Sequence, residues 1–320
     1  TSYYNFFHNL FFTLVESFSI DEYLNIMSIS RQNLSIIIVS FNSNHVIHQC
    51  IESIDKQIEI IVIDNSNNKD FKKDIENQYQ NVKCILSLQN NGMGAGNNLG
   101  IKNTTKDFAL ILNPDIILEQ NMINEIIEAS SSLIDFSVIA PISNNLKFPN
   151  YKFKKENNNK LDIINPFKVK SVDGYAMLLN LKKIKKFKDF YFFDENFFLY
   201  LENDDLCKRM KQIDDNIYVV PKAKINHLGG QAVEPKYKDE VEYTRNWHWM
   251  WSKFYYNKKH YGYFNAVYKT LSNLISAIFK IIYYLVTGNK HKKKIYEMRF
   301  FGLLNSMLGN KSFYRPNLKN

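Results

Sequence analysis

The fold follows first of all from one apolar run, the sequence FALILNPD at residues 108–115. Its five apolar residues predict a strand buried on both faces, because the run is too short and ends too abruptly for a helix. Pro114 has no N–H to donate, so strand pairing stops there and Asp115 follows at the carboxyl end of the strand. Ligands of open α/β sheets bind at that edge. Asp115 is therefore a candidate ligand for a hard divalent cation, and an Asx turn that only closes a loop is the alternative.

Three more strands and two helices are legible before this point. Residues 34–43, 58–67 and 82–88 read LSIIIVSFNS, IEIIVIDNSN and VKCILSL, which are typical of buried strands. Apolar residues at helical spacing lie between them, near residues 46–54 and 71–79. This alternation of strands and helices predicts a doubly wound parallel sheet.

A glycine-rich stretch, NNGMGAGNNLGI, occupies residues 90–101. Its glycines permit positive φ and a close approach of the backbone to a ligand, and the helix that should follow would offer free N–H groups to a phosphate. The spacing does not fit GxGxxG, which weakens the case for a dinucleotide-binding domain. No Gly-Lys-Ser/Thr follows, so a P-loop is excluded. A flexible turn is the alternative reading.

A second acidic group lies in FFDENFFLYLENDDLCKRM, residues 192–210. Glu202, Asp204 and Asp205 fall within one turn at the start of a helical pattern, where acids are also ordinary partners of the helix dipole. Three neighbouring carboxylates repel one another, so one of them is a candidate general base with a raised pKa. Arg209, one turn further, is expected to orient Asp205.

Charge divides the chain unevenly. The net charge is +9, and residues 245–320 contain fourteen Lys/Arg and a single acid, which leaves the preceding residues slightly acidic. We therefore predict three parts: an N-terminal amphipathic extension over residues 1–32, a catalytic domain over 33–244 and a helical, basic appendage over 245–320. The three cysteines lack metal or disulfide spacing and suit a reducing compartment.

The appendage contains an amphipathic segment. Apolar residues recur at helical spacing over residues 264–285, but Lys269 and Lys280 interrupt them, so we expect the uncharged run to fall short of the ~20 residues that span a bilayer. KHKKK follows at residues 290–294. Together they predict a helix lying on an anionic membrane surface, with a core helix or a homodimer interface as alternatives. No nucleic-acid-binding module is legible, so we expect no nucleic acid partner.

Seven stretches in this order resemble the inverting glycosyltransferases of family 2, and most closely their rhamnosyltransferase-like branch. The resemblance covers roughly residues 34–251 and depends on SIIIVSFNS, VIDNSN, NNGMGAGNNLG, LNPD, VDG, FDENFFLYLENDDLCKR and INHLGG. It implies the GT-A fold, a Rossmann-like mixed sheet flanked by helices. It also implies transfer of a sugar such as L-rhamnose from a dTDP- or UDP-sugar to a glycan or lipid-linked acceptor, in bacterial cell-surface polysaccharide synthesis.

The resemblance assigns roles to individual residues of the donor site. Ser40 and Phe41 would lie beside the nucleoside, and Asp64 would accept a hydrogen bond from the imide N–H of uracil or thymine. Asn98 would lie near the pyrophosphate or donor sugar. The residues expected to bind the nucleotide-sugar are Ser40, Phe41, Asp64, Gly92, Asn98, Asn113 and Asp115.

The resemblance also implies a metal site and an acceptor site. Asp115 matches the last acid of the family's Asp-x-Asp motif and Asn113 replaces the first, so one charged ligand would hold Mg²⁺ or Mn²⁺ together with the diphosphate. His227 matches a further metal ligand of some relatives and slightly favours Mn²⁺. Asp173 and Gly174 would border the acceptor.

One departure from the family concerns the general base. The usual Glu-Asp-x-Asp reads Glu-Asn-Asp-Asp at residues 202–205, and the amide of Asn203 cannot take a proton at neutral pH. We expect Glu202 to be the base, with Asp205 second and Asp204 third.

The implied enzyme is cytoplasmic and peripheral on the inner face of the cell membrane. Two alternatives remain open. A catalytically silent scaffold that binds nucleotide-sugar would explain the amides at Asn203 and Asn113. A nucleotidyltransferase should carry a basic glycine-rich loop after its first strand, and VSFNSNH has none.

Overall fold

The structure is a computed structural model that describes residues 28–133, 135–145, 148–152, 164–185, 191–213, 215–316 and 318. Residues 1–27 of the predicted N-terminal extension lie outside the described residues.

A large mixed sheet forms the centre of the described chain. Its strands are β1 (Leu34–Ser40), β2 (Glu59–Asp64), β3 (Val82–Leu86), β4 (Phe108–Leu112), β5 (Ile116–Leu118), β6 (Val138–Ser143), β8 (Phe167–Lys168), β10 (Ala176–Asn180) and β11 (Ile217–His227). The order is β3-β2-β1-β4-β10-β6-β11-β5, and β8 also pairs with β11. The short strands β7 (Tyr151–Lys152) and β9 (Ser171–Val172) pair separately.

The parallel arrangement predicted from the first strands holds for β3-β2-β1-β4. It does not extend further, because β10 runs antiparallel to both β4 and β6. In the β10–β4 ladder Ala176 faces Leu112, and the Asn113 N–H donates to the Tyr175 carbonyl oxygen at 2.9 Å. The reversed strand therefore begins beside the end of β4 and brings the loop before it to the edge that carries Asp115.

Helices cover both faces of the sheet. They are α1 (Asn44–Glu52), α2 (Lys69–Gln78), α3 (Met93–Asn103), α4 (Met122–Ser132), α5 (Leu181–Ile184) and α6 (Glu202–Gln212). Successive residues of β1 enter different cores: Ile36 and Ile38 belong to the core that includes α1 and α2, whereas Ile37 belongs to the core that includes α6. The continuous apolar run of β1 thus reflects burial on both faces.

Three long helices follow: α7 (Lys238–Tyr261), α8 (Tyr263–Val286) and α9 (Lys290–Met307). They share a core of Met250, Phe254, Ala266 and Leu303. A Cβ at Gly302 would lie 2.1 Å from the Trp247 carbonyl oxygen, so a larger residue would push α9 away from α7. The predicted boundary at residue 245 falls inside the continuous helix α7.

Helix α8 is long and apolar enough, by length and composition, to cross a membrane, and no other helix of the described residues is. Lys269 and Lys280 divide its uncharged run, as expected, but two lysines do not by themselves exclude a span. Only 11% of the most apolar stretch of α8 is buried within the described protein.

Candidate active site

A cleft of about 540 Å³ opens at the carboxyl edge of β1 and β4 and extends to α6 and α7. Most of the residues assigned to the site from the sequence line it: Phe41, Gly92, Asn113, Asp115, Asp173, Gly174, Glu202, Asp204 and His227. The acid that follows β4 and the acids that begin α6 therefore face one cavity, although they are far apart in the sequence.

Asp115 is held at this edge by backbone N–H groups of the segment that follows β11. Its carbonyl oxygen accepts from the Leu228 N–H at 3.1 Å, and its Oδ2 accepts from the Gln231 N–H at 3.2 Å. His227 Nε2 lies 3.6 Å from the same Oδ2. The residue is only 2% exposed, and Oδ1 has no hydrogen-bond partner among the described residues. An ionised oxygen buried without a partner is costly, which favours a bound cation or donor group at this position.

The side-chain amide of Asn113 contributes a second oxygen without a hydrogen-bond partner. Its Oδ1 is buried and has no partner within the described chain. Two oxygens and the nearby imidazole of His227 form a donor set that suits Mg²⁺ or Mn²⁺, and a diphosphate would supply further oxygens. The residues present therefore fit the divalent cation that the resemblance implies.

Glu202 begins α6 on the opposite wall. The two residues before it, Tyr200 and Leu201, have φ of +72° and +67°, an unusual left-handed pair that turns the chain sharply into the helix. Glu202 is 8% exposed, and its Oε2 has no partner among the described residues. Burial raises the pKa of Glu202 to about 7, and the neighbouring Asp204 carboxylate adds to the rise. Such a carboxylate is suited to accept a proton near neutral pH.

Asp204 lines the cleft but is already paired. Its two oxygens accept from Lys152 Nζ at 2.8 and 2.7 Å, and Oδ1 also accepts from Ser171 Oγ at 2.7 Å. An acceptor hydroxyl would have to displace these partners, which makes Asp204 a poorer candidate base than Glu202.

Asp173 lies close to the same lysine. Lys152 Nζ is 3.9 Å from its Oδ1. Burial raises the pKa of Asp173, and the positive charge of Lys152 opposes that rise. Lys152 therefore joins the loop before β10 to Asp204 of α6.

Asp205, the second choice for the base, does not line the cleft. It is fully buried, and its oxygens pair with Arg209 Nε at 2.9 Å, Lys259 Nζ at 2.7 Å and His260 Nε2 at 2.9 Å. The predicted pair with Arg209 is confirmed. The structure does not support Asp205 as a candidate base, because these partners occupy its oxygens away from the cleft. Asp205 instead joins α6 to α7.

Asn203 occupies the family's usual aspartate position and makes a structural contact. Its Nδ2 donates to the Val172 carbonyl oxygen at 2.7 Å. A Cβ at Gly174 would lie 3.2 Å from the Asn203 Cβ, so the loop before β10 packs closely on α6. The amide thus connects the segment before β10 to the helix that carries Glu202.

Asn98 is the clearest correction in the donor site. Its Nδ2 donates to the Phe193 carbonyl oxygen and to Glu195 Oε1, both at 2.9 Å, and its Oδ1 accepts from the Phe193 N–H at 3.0 Å. Asn98 lies on α3 outside the cleft lining, and its amide fixes the segment before α6. The expectation that it lies near the pyrophosphate is not supported.

Asp64 and Ser40 also lie behind the cleft lining. Both oxygens of Asp64 accept local hydrogen bonds, from the Ser66 N–H at 3.1 Å and from the Asn68 N–H at 2.8 Å, and the residue is fully buried. Ser40 is 1% exposed, whereas its neighbour Phe41 reaches the cleft. A hydrogen bond from a base imide to Asp64 would have to compete with these backbone donors.

Gly92 is a glycine of the 90–101 stretch that faces the cleft. It has a φ of +90°, and a Cβ there would lie 2.0 Å from the Phe198 carbonyl oxygen. That oxygen accepts from the Met93 N–H at 3.0 Å, at the start of α3. Only glycine allows the start of α3 to lie this close to the segment before α6.

Part of the cleft comes from α7, which the sequence did not assign to the site. Thr244, Arg245 and Trp249 line it. Arg245 Nε donates to Tyr200 Oη at 2.8 Å, and the Trp249 ring lies edge-on to the Tyr200 ring at 5.3 Å. The i, i+4 spacing of Arg245 and Trp249 puts both on one face of a helix, and that spacing was the available signal.

Comparison with known proteins identifies the family. The family model described as Glycosyl transferase family 2 matches residues 35–217, more than half of the chain. The chain belongs to glycosyl transferase family 2. The match to this family runs from β1 to the start of β11, so the α7 side of the cleft lies beyond it.

One relative and two solved structures illustrate the similarity of this family 2 chain to known proteins. Low-salt glycan biosynthesis hexosyltransferase Agl10 of Haloferax volcanii is 27% identical over 201 residues, which cover 58% of this chain and 64% of Agl10. This chain thus spans less than two thirds of Agl10. Mannosyltransferase PcManGT from Pyrobaculum calidifontis, in complex with GDP-Man and Mn²⁺, has a TM-score of 0.52 at 9% identity, covering 87% of this chain and 88% of that one. S. aureus TarS 1–349 has a TM-score of 0.47 at 15% identity, covering 88% and 93%.

The mannosyltransferase shows the fold alone. The mixed sheet flanked by helices, with a helical C-terminal region, is that of the GT-A fold, and this confirms the predicted fold class. The resemblance to family 2 is likewise confirmed, whereas its rhamnosyltransferase-like branch stays a prediction.

Proposed function

We propose that this protein transfers a hexosyl group from a nucleoside-diphosphate sugar to a hydroxyl group of a glycan or lipid-linked acceptor, with inversion at the anomeric carbon. One observation carries the proposal: Asp115 and Glu202 each have a buried, unpartnered carboxylate oxygen among the described residues, and both line the same cleft. Family membership and the similarity to a hexosyltransferase support it.

A divalent cation, Mg²⁺ or Mn²⁺, is proposed for the donor side. Asp115, Asn113 and His227 are the residues that would hold it. When bound, it would stabilise the negative charge of the departing diphosphate. PcManGT was solved with Mn²⁺ and GDP-Man, which is consistent with this proposal.

Arg245 is proposed to bind the diphosphate as well. A single charged metal ligand leaves much of the diphosphate charge to be balanced by other groups. Arg245 lines the cleft and is oriented by its hydrogen bond to Tyr200, and a guanidinium matches the geometry of phosphate oxygens. Lys152 is less suited, because Asp204 already pairs with it.

Glu202 is proposed as the general base. Its carboxylate would take the proton of the acceptor hydroxyl as the oxygen attacks the anomeric carbon, while the bond to the diphosphate breaks. A single displacement inverts this carbon without a covalent intermediate. Asp173 and Gly174, on the loop before β10, would border the acceptor beside Glu202.

The test is transfer or slow hydrolysis of nucleotide-sugars by the purified full chain with Mn²⁺ or Mg²⁺. A thermal-shift screen of UDP-, dTDP- and GDP-sugars, dTDP-L-rhamnose among them, would first select the donor. We expect Glu202→Gln and Asp115→Asn to reduce turnover by at least about 10²-fold. Glu128→Gln, at an exposed position of α4, is the matched control. Donor binding without turnover in the unaltered chain would instead favour the silent scaffold.

A further inference from the structure

Helix α8 presents an apolar surface that no described residue covers. Its exposed side chains recur every three or four residues: Phe264, Tyr268, Leu271, Ile275, Phe279 and Ile282. Phe264 is 88% exposed and Phe279 is 68% exposed. We call this set the apolar face of α8. An apolar stripe of this length on a helix surface indicates an interaction site.

The apolar face is not the surface that α8 uses to pack on the protein. The buried residues of α8 lie on the opposite side of the helix: Ala266, Thr270 and Ala277. On that side Ala266 belongs to the core that includes Leu303 of α9, and the Tyr284 ring stacks on Tyr296 at 5.7 Å. Helices α8 and α9 therefore form an antiparallel hairpin, which leaves the apolar face unused.

Lysines lie elsewhere on the α8–α9 hairpin, outside the apolar face. Five of them are exposed on α8 and at the start of α9: Lys269, Lys280, Lys290, Lys292 and Lys294. The single acid of residues 245–320, Glu297, pairs with Lys293 at 2.8 Å. The α8–α9 hairpin as a whole is therefore positively charged, which complements an anionic lipid surface.

Packing argues against α8 as a membrane span, although its length and composition would allow one. Helix α9 lies along α8, and Lys280 Nζ donates to Tyr296 Oη at 2.9 Å. A spanning α8 would either carry the lysines of α9 into the hydrocarbon or lose these contacts. Both are costly, whereas a helix lying in the headgroup region buries only its apolar face.

We propose that the apolar face of α8 lies on an anionic membrane surface, with the exposed Lys290 and Lys294 at the start of α9 among the lipid headgroups. The binding itself is independent of the donor chemistry. Its role rests on the proposed function, since it would hold the cleft near an acceptor carried on a lipid.

Vesicle flotation of the full chain tests the proposal. We expect binding to vesicles of phosphatidylcholine and phosphatidylglycerol, weaker binding to phosphatidylcholine alone, and release by high salt or alkaline carbonate. Ile275→Glu with Phe279→Glu should reduce binding at least about tenfold. The matched control, Ser272→Glu with Ser276→Glu, adds the same charge to exposed polar positions of the same helix and should retain most of the binding.

Three outcomes would overturn the proposal. Equal binding of the two double variants would show that the apolar face is not involved. Resistance to carbonate would show an inserted span. A dimer of the unaltered chain in sedimentation without vesicles, converted to monomer by Ile275→Glu with Phe279→Glu, would assign the face to a second copy. Donor hydrolysis in solution is measured on the same variants. If hydrolysis is retained while vesicle binding is absent, the membrane proposal fails and the proposed function stands.

Discussion

Burying the carboxyl group of Glu202 should lower the stability of the protein above neutral pH and also make this group a suitable general base. Replacing Glu202 with glutamine tests both consequences. Burial raises its pKa from the ordinary 4.5 to about 7. Each pKa unit corresponds to about 1.4 kcal/mol, so ionisation of this side chain costs the folded state about 3 kcal/mol above pH 7. The folded protein binds the proton more tightly than the unfolded chain. Stability of the unaltered protein therefore falls as the pH rises from 4.5 to 7 and then levels off.

Glutamine has the same shape and no such cost. We expect Glu202→Gln to raise the free energy of unfolding by up to about 3 kcal/mol above pH 7 and by little below about pH 5, while turnover falls at least about 10²-fold. The assays are urea or thermal unfolding across this pH range and transfer at each pH. In the unaltered enzyme, turnover should rise with pH and level off above 7, because the base must be ionised.

The matched control is Glu128→Gln, the same change at an exposed position of α4. It should alter neither property. A stabilisation by Glu202→Gln that does not change with pH would refute the argument from burial. Near-normal turnover in this variant would refute the assignment of the base, whatever its stability.

Three further changes have defined outcomes. Asp115→Asn should reduce turnover at least about 10²-fold and raise the Mn²⁺ concentration needed for half-maximal rate, which a Mn²⁺ titration measures. Gly92→Ala puts a Cβ 2.0 Å from the Phe198 carbonyl oxygen, so in urea unfolding it should destabilise the protein by more than about 2 kcal/mol. The control Gly262→Ala has a similar φ but no atom near its Cβ, and it should cost only about 1 kcal/mol in the same assay. Lys259→Met leaves two buried aspartates short of a cation and should cost about 3 kcal/mol in the same assay.

The sequence predicted the elements that local patterns define. The apolar run before Pro114 is β4, and Asp115 lies where a stopped strand should deliver it. The antiparallel direction of β10 did not follow from the local pattern, because strand direction depends on where the chain returns, and alternation of strands and helices indicates only parallel crossovers. Only the family resemblance implied a mixed sheet.

Individual side chains were harder to predict, since residues one position apart on a helix face different surroundings. Asp204 and Asp205 are adjacent, yet Asp204 faces the cleft and Asp205 faces Lys259 and His260. The partners of Asp205 on α7 are more than fifty residues away in the chain. Arg245 was missed because its i, i+4 spacing with Trp249 indicates one face of a helix but not the cavity that this face lines.

The contacts of Asp205 join the helix that carries Glu202 to α7, so a shortened chain must keep α7. A protein shortened to the region that the family model matches would lose one wall of the cavity and leave Asp205 of α6 buried without its two partners on α7. Chimaeras with relatives must therefore exchange α6 and α7 together. Helix α9 should be exchanged together with α7, because Gly302 of α9 packs directly against the backbone of Trp247 of α7.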